Sequence, residues 1–139
     1  VRLVPRERLE LDKNAAYWNK ARVPKTDRMV LIPMPEANTR VAACDLDGGN
    51  LRDIFVAQPL KKAGRPGGCD GLKVDAEGNL WTTGPGGVLI LSPQGKHLGS
   101  ILFHQPTANL AWGEDGKTLF VTSNHDVFVL RTKVKGAGF

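Results

Sequence analysis

The sequence has few cysteines and no long apolar run, and each shortage excludes a class of protein. Two cysteines among 139 residues are too few for a disulfide scaffold or for a zinc site made of cysteines alone. No stretch approaches the roughly 18 consecutive apolar residues of a transmembrane helix. The first residues also lack the apolar segment of a signal peptide. We therefore expect a soluble domain with no membrane partner, and the cellular compartment stays open.

Positive charge is concentrated at the N-terminal end of the chain. The net charge is +5, yet residues 1–40 hold nine basic and five acidic side chains, whereas residues 41–139 hold ten and nine. No basic stripe interleaved with aromatic residues and no nucleic-acid-binding motif accompanies this excess, so we expect no nucleic-acid partner. Salt-dependent retention on nucleic acid would support that less favoured alternative. We expect the chain to have two parts, a divergent basic N-terminal segment, 1–38, and a domain over 39–139.

Internal similarity is the most informative feature of the sequence. Residues 70–75 and 80–91 align with residues 109–114 and 119–130, both at an offset of 39 residues. Residues 88–103 align with residues 41–56 at an offset of 47. A period of about 40 residues with short strands is typical of the blades of a β-propeller.

Turn residues divide the aligned stretches into short strands. Glycine-containing turns separate strands that we predict in the clearest unit at Leu72–Val74, Leu80–Thr83, Val88–Leu91 and His97–Phe103. The last unit predicts strands at Leu110–Trp112, Thr118–Val121 and Asp126–Arg131, and the first at Met29–Ile32, Thr39–Cys44 and Leu51–Val56. Pro5 and the apolar residues of segment 5–22 allow a short helix.

The predicted fold class is all-β, with about three four-stranded antiparallel blades of a propeller. We expect Trp81, Phe120 and Phe128, which alternate with polar residues, to lie in the core between blades. Because a propeller needs about four to eight blades to close, three units would form only part of a ring. Further chain, or a homo-oligomer in which two three-bladed halves pair, would complete it, since open units expose edges and faces.

Residues 69–84, CDGLKVDAEGNLWTTG, resemble the signature of the gluconolactonase/regucalcin (senescence marker protein) family, P-D-G-hydrophobic-x-V-D-x-x-G-N-L-W. The similarity is specific over residues 66–134, loose over 39–57 and absent over 1–38. It implies a six-bladed propeller with one divalent cation in its central channel, held by a Glu, an Asn and the Asp of P-D-G. Only that last ligand has a counterpart here, Asp70, and Cys69 takes the place of the proline.

The position of Asp70 suggests chemistry independently of the family. It directly precedes the innermost strand of its unit, and Asn109 holds the corresponding place in the next unit. Converging oxygen donors could bind Ca²⁺ or Zn²⁺, which would polarise a carbonyl while a carboxylate takes a proton from water. The alternative is that both residues simply cap turns at strand starts. His104 follows a strand and precedes Gln105 and Pro106, where it could lie at the channel mouth.

The leading functional prediction is a metal-dependent hydrolase of sugar lactones or related esters, with a small-molecule substrate. Asp70 would be the catalytic and metal-binding residue, and Asn109 and His104 would bind substrate. The alternative is a non-catalytic propeller fragment that serves as a binding or assembly module.

Two further motifs are predicted to be turns. Residues 45–48, DLDG, begin like a calcium loop, but position twelve is Val56 rather than Glu, so we predict a hairpin turn there. We also predict a turn at residues 84–87, GPGG.

Overall fold

The computed structural model describes residues 2–4, 8–12, 28–31 and 40–139. These residues form twelve strands and one short helix: β1 (Arg2–Val4), β2 (Arg8–Asp12), β3 (Arg28–Leu31), β4 (Arg40–Ala43), β5 (Arg52–Val56), α1 (Gln58–Lys62), β6 (Leu72–Val74), β7 (Leu80–Gly84), β8 (Gly87–Leu91), β9 (His97–Leu102), β10 (Thr107–Trp112), β11 (Thr118–Ser123) and β12 (Asp126–Arg131). The predicted all-β class is confirmed. Within this part of the chain no helix is long and apolar enough to cross a membrane.

The strands form four antiparallel sheets, each made of neighbours in sequence. Their orders are β1-β2-β3, β4-β5, β6-β7-β8-β9 and β10-β11-β12. The chain divides into two compact units, of which the first takes Val1–Glu36 and Ala43–Arg52 and the second takes Ala37–Ala42 and Asp53–Phe139. Within β6–β9 and β10–β12 short turns join neighbouring strands, which is the pattern of propeller blades, although among the sheets of the described residues only that of β6–β9 has the predicted four strands.

The N-terminal prediction needs two corrections. Residues 8–12 form strand β2 instead of the short helix allowed over 5–22, because the stretch RLELD alternates polar and apolar residues with the period of a strand. The predicted strand Met29–Ile32 is observed as β3, but it pairs with β2 as the third strand of its sheet. The rest of segment 5–22 lies outside the described residues.

Turn chemistry correctly located the strands of the central sheet. Pro85 and Gly86 form the turn between β7 and β8, with Gly86 at φ 92°, a conformation that glycine adopts at low cost. The DLDG stretch is a hairpin turn between β4 and β5, as predicted. Its closing bonds run from the Gly48 N–H to the Asp45 carbonyl and from the Asp45 N–H to the Gly49 carbonyl, both at 2.9 Å.

The sheet of β6–β9 packs on both of its faces, and strand β8 shows how. Val88 and Ile90 join one apolar cluster, whereas Leu89 and Leu91 join the other, because successive side chains of a strand point to opposite faces. The first cluster lies against β10–β12 and is centred on Trp81, Val88, Leu110, Leu119 and Val121. The second lies against β4, β5 and α1 and is centred on Val41, Ala57, Leu89 and Leu91.

Of the three aromatic residues expected in the core, only Trp81 is buried. Phe120 is 40% exposed because it lies on the face of β10–β12 that points away from β6–β9. Phe128 lies against Phe103, with ring centroids 4.8 Å apart, and remains 38% exposed. The outward face also carries Val127 and Val129, which are 64% and 60% exposed. No described element covers it.

Candidate functional site

Asp70 lies in the loop that leads into β6, at the edge of an open cavity of about 510 Å³. The residue is exposed, and among the described residues no side chain hydrogen-bonds to its carboxylate. The loop before β6, the loop before β10 and the β11–β12 turn form the cavity wall, which consists of Gly67, Gly68, Cys69, Asp70, Pro106, Thr107, Ala108 and Asn124. Asp70 is the only charged side chain in this lining.

The backbone around Asp70 is anchored to both neighbouring strands. The side-chain oxygen of Thr83 on β7 accepts the N–H groups of Asp70 and Gly71, at 3.1 and 3.0 Å. The Gly71 carbonyl accepts the Thr83 N–H at 2.9 Å and the Thr82 hydroxyl at 3.1 Å. The Gly71 N–H also lies 3.1 Å from the Ala108 carbonyl of β10. Asp70 and Gly71 are therefore fixed, although the carboxylate faces solvent.

Gly71 leaves no room for a side chain. A Cβ atom at this position would lie 2.8 Å from Cα of Asn109, closer than real Cβ atoms approach other atoms. The glycine of the D-G pair thus lets β6 and β10 meet beside Asp70. This close packing explains why a glycine follows Asp70 in the motif.

The other two predicted site residues do not face the cavity. Asn109 is exposed on β10, where its Oδ1 accepts the Leu110 N–H at 2.8 Å. Its side chain lines a separate cavity of about 260 Å³, together with residues that include Phe120 and Thr122. His104 lies exposed in the loop between β9 and β10 and is not part of the lining around Asp70.

Two residues around Asp70 were not anticipated from the sequence. Asn124 lines the cavity from the β11–β12 turn, where its φ is 50°. Thr83 anchors the Asp70 backbone. The internal alignment pairs Thr83 with Thr122, whose Oγ1 accepts the Asn109 N–H at 3.0 Å. The alignment of Thr83 with Thr122 was the sequence feature that could have pointed to Thr83. Nothing in the sequence distinguished Asn124 from an ordinary turn asparagine.

The described residues fit only one ligand position of a divalent-cation site. They contain no group of three or more His, Cys, Asp or Glu side chains that could hold a metal ion. Asp70 offers a carboxylate of the kind that Ca²⁺ prefers. Burial raises the pKa of the neighbouring Cys69 thiol to about 11, which disfavours the thiolate form that binds metal ions.

Asp75, the second carboxylate of the motif, has a structural role. It is buried and accepts hydrogen bonds from the Glu77 N–H, the Asn79 N–H and amide, and the Trp81 indole, all at 2.9–3.0 Å. Burial alone would raise the pKa of Asp75, but the four hydrogen bonds outweigh it and lower the pKa. The pattern D-x-x-G-N-L-W therefore describes a turn closed by one carboxylate.

Antiparallel sheets packed face to face, with Asp70 in the loop that leads into β6, have the arrangement of propeller blades. The family model for the SMP-30/Gluconolactonase/LRE-like region matches residues 14–125. The chain belongs to this family. The match begins within the N-terminal segment, so the expected lack of resemblance over 1–38 is wrong from residue 14 onward.

Two relatives extend the comparison. The chain is 42% identical over 89 residues to the gluconolactonase of Zymomonas mobilis, an alignment that covers 63% of this chain and 24% of that protein. An X-ray structure of a protein provisionally described as a gluconolactonase matches with a TM-score of 0.57 and 30% identity. That match covers 77% of this chain and 36% of the solved one. The chain thus spans well under half the length of either relative.

Proposed function

We propose that this chain carries part of the site of a lactonase-type hydrolase that acts on sugar lactones or related esters. The observation that carries the proposal is the Asp70 carboxylate, unpaired among the described side chains and held at a cavity of about 510 Å³. This volume lies within the usual range of about 300–1,000 Å³ for small-molecule pockets. Family membership and the gluconolactonase relatives support the choice of reaction.

Asp70 would act as a general base on a water molecule that attacks the lactone carbonyl. The water oxygen bonds to the carbonyl carbon while the carboxylate takes the proton. The tetrahedral intermediate then collapses, the ring C–O bond breaks, and Asp70 returns the proton to the ring oxygen. The product is the open-chain hydroxy acid. Fixed backbone at Asp70 and Gly71 would keep the base within reach of the water throughout this sequence.

We also propose that the site binds a divalent cation, Ca²⁺ or Zn²⁺, with Asp70 as one ligand. Such an ion would polarise the substrate carbonyl when bound. Because the described residues supply one ligand and not a complete set, the steps above use only the chain's own groups. Metal analysis of the purified protein and a thermal shift on addition of Ca²⁺, Zn²⁺ or Mn²⁺ test this part of the proposal. No bound ion and no shift would remove it.

Replacement of Asp70 tests the assignment of the base. Asp70→Asn keeps the size of the side chain and removes the proton acceptor, so lactone hydrolysis should fall to background while the melting temperature stays within about 1 °C. Asp126→Asn is the matched control. Asp126 is exposed and lies two residues beyond Asn124 of the cavity wall, but outside the lining. Undiminished hydrolysis by Asp70→Asn would overturn the assignment.

One observation favours the alternative function, a non-catalytic module that assembles with a second copy of the chain. The outward face of β10–β12 exposes Phe120, Val127 and Val129, and apolar patches of this kind often mark association surfaces. Size-exclusion chromatography with light scattering decides it. A dimer that Val129→Lys dissociates supports assembly through this face, whereas a monomer at all concentrations rejects it.

A further inference from the structure

The side chain of Thr83 is fully buried on strand β7. A buried hydroxyl costs free energy unless it is hydrogen-bonded, so its partners indicate why a threonine is there. Its oxygen accepts the N–H groups of Asp70 and Gly71, and its third contact, at 3.5 Å, is with the Ala108 carbonyl. All three partners belong to the wall of the Asp70 cavity or are adjacent to it.

We propose that Thr83 is the positioning residue that sets the direction of the Asp70 carboxylate. The inference rests on the function proposed for Asp70 and assigns Thr83 no contact with substrate. No described side chain holds the carboxylate itself, so its direction follows from the Asp70 backbone and from the rotamers which that backbone allows. Thr83 fixes this backbone through the two N–H groups that flank the Asp70 Cα–C unit.

The same chain supplies a matched control for this hydrogen bond. Thr122 of β11 accepts the Asn109 N–H at 3.0 Å, in the geometry by which Thr83 accepts the Asp70 N–H at 3.1 Å. Asn109 does not line the Asp70 cavity. Loss of the Thr122 hydroxyl therefore removes a bond between the same donor and acceptor types, at an exposed site outside the Asp70 cavity.

The test compares Thr83→Val, Thr83→Ser and Thr122→Val with the unchanged chain. Valine keeps the shape of threonine but leaves the Asp70 N–H without its acceptor, whereas serine keeps the oxygen. A displacement of the base by about 1 Å costs on the order of 100-fold in rate. We expect Thr83→Val to lower kcat for lactone hydrolysis by about 10- to 100-fold with less than about a threefold change in KM. Thr83→Ser and Thr122→Val should stay near the unchanged rate.

A second readout does not depend on activity. Three-bond NMR couplings to Cγ report whether the Asp70 side chain occupies one χ1 rotamer. We expect one rotamer in the unchanged chain, in Thr83→Ser and in Thr122→Val, and rotamer averaging in Thr83→Val. A merely structural Thr83 would lower the melting temperature without this selective change at Asp70.

The outcomes separate this inference from the proposed function. Averaged couplings in the unchanged chain, or one rotamer retained in Thr83→Val, would overturn the positioning role. Equal losses of kcat in Thr83→Val and Thr122→Val would also overturn it. If the couplings change as expected but the unchanged chain hydrolyses no lactone, the proposed function fails while Thr83 still positions Asp70.

Discussion

The two tryptophans in the core allow the contribution of one buried hydrogen bond to be measured. Trp81 and Trp112 lie edge to face, with ring centroids 5.3 Å apart at 70°. The Trp81 indole N–H donates to the Asp75 carboxylate at 2.9 Å. The Trp112 indole N–H is buried and, in the described part of the chain, has no acceptor. Replacement of each by phenylalanine removes similar ring volume but changes hydrogen bonding in opposite directions.

The expected magnitudes follow from this difference. Trp81→Phe removes a bond to a charged acceptor, which contributes about 1.5–3 kcal/mol, whereas Trp112→Phe removes an unpaired buried donor that costs about 1–3 kcal/mol. Trp81 is buried and Trp112 is partly buried, so Trp81→Phe loses at least as much packing as Trp112→Phe. The free energy of unfolding of Trp81→Phe should therefore lie at least about 2 kcal/mol below that of Trp112→Phe at pH 7.

Urea unfolding with an unchanged m-value is the assay. The pH dependence gives a second check. Because the folded-state pKa of Asp75 is lowered, its contribution is complete above the unfolded pKa of about 3.9 and is lost as pH falls through the folded value. The gap between the two variants should therefore narrow as the solution is acidified below about pH 3.9. Equal destabilisation of both variants at pH 7 would refute the assigned role of Asp75.

Two further predictions concern the core and the thiols. Leu89→Ala, at a fully buried position between the sheets, should lower the free energy of unfolding by about 3 kcal/mol, whereas Leu98→Ala on the exposed face of β9 should change it by less than about 1 kcal/mol. Equal effects in urea titration would contradict the position of the core. A thiol reagent at pH 8 should modify exposed Cys44 quickly and Cys69 slowly, because burial raises the pKa of Cys69 to about 11. Equal rates would count against that burial.

Local signals in the sequence predicted the central strands closely, because turn glycines act within a few residues. Gly78 and Gly95, at φ 84° and 82°, lie in the turns that were predicted between the strands. The pairing of β3 with β2 depends on which distant strand offers a matching edge, and neither strand carries that information alone. Exposure of Phe120 likewise depends on whether another sheet covers its face, which strand periodicity does not report.

The residues of the candidate site also differ in how far local sequence predicts them. Asp70 could be found because it belongs to a contiguous motif that leads into a strand. Thr83 was missed because its partners lie 12 and 13 residues away and meet it only through the pairing of β6 with β7. Asn109 shares the alignment position of Asp70, but it lines a different cavity and its Oδ1 accepts the Leu110 N–H. Alignment gives equivalent backbone positions, and side-chain direction depends on the neighbours.

The central claim is that the cavity beside Asp70 receives the lactone, and an NMR titration tests it most directly. A non-hydrolysable lactam analogue of a sugar lactone should be added to the ¹⁵N-labelled chain while the amide signals are followed. The account predicts the largest shifts at Asp70, Thr107, Ala108 and Asn124. Shifts confined to other surfaces, or no shifts at all, would contradict it.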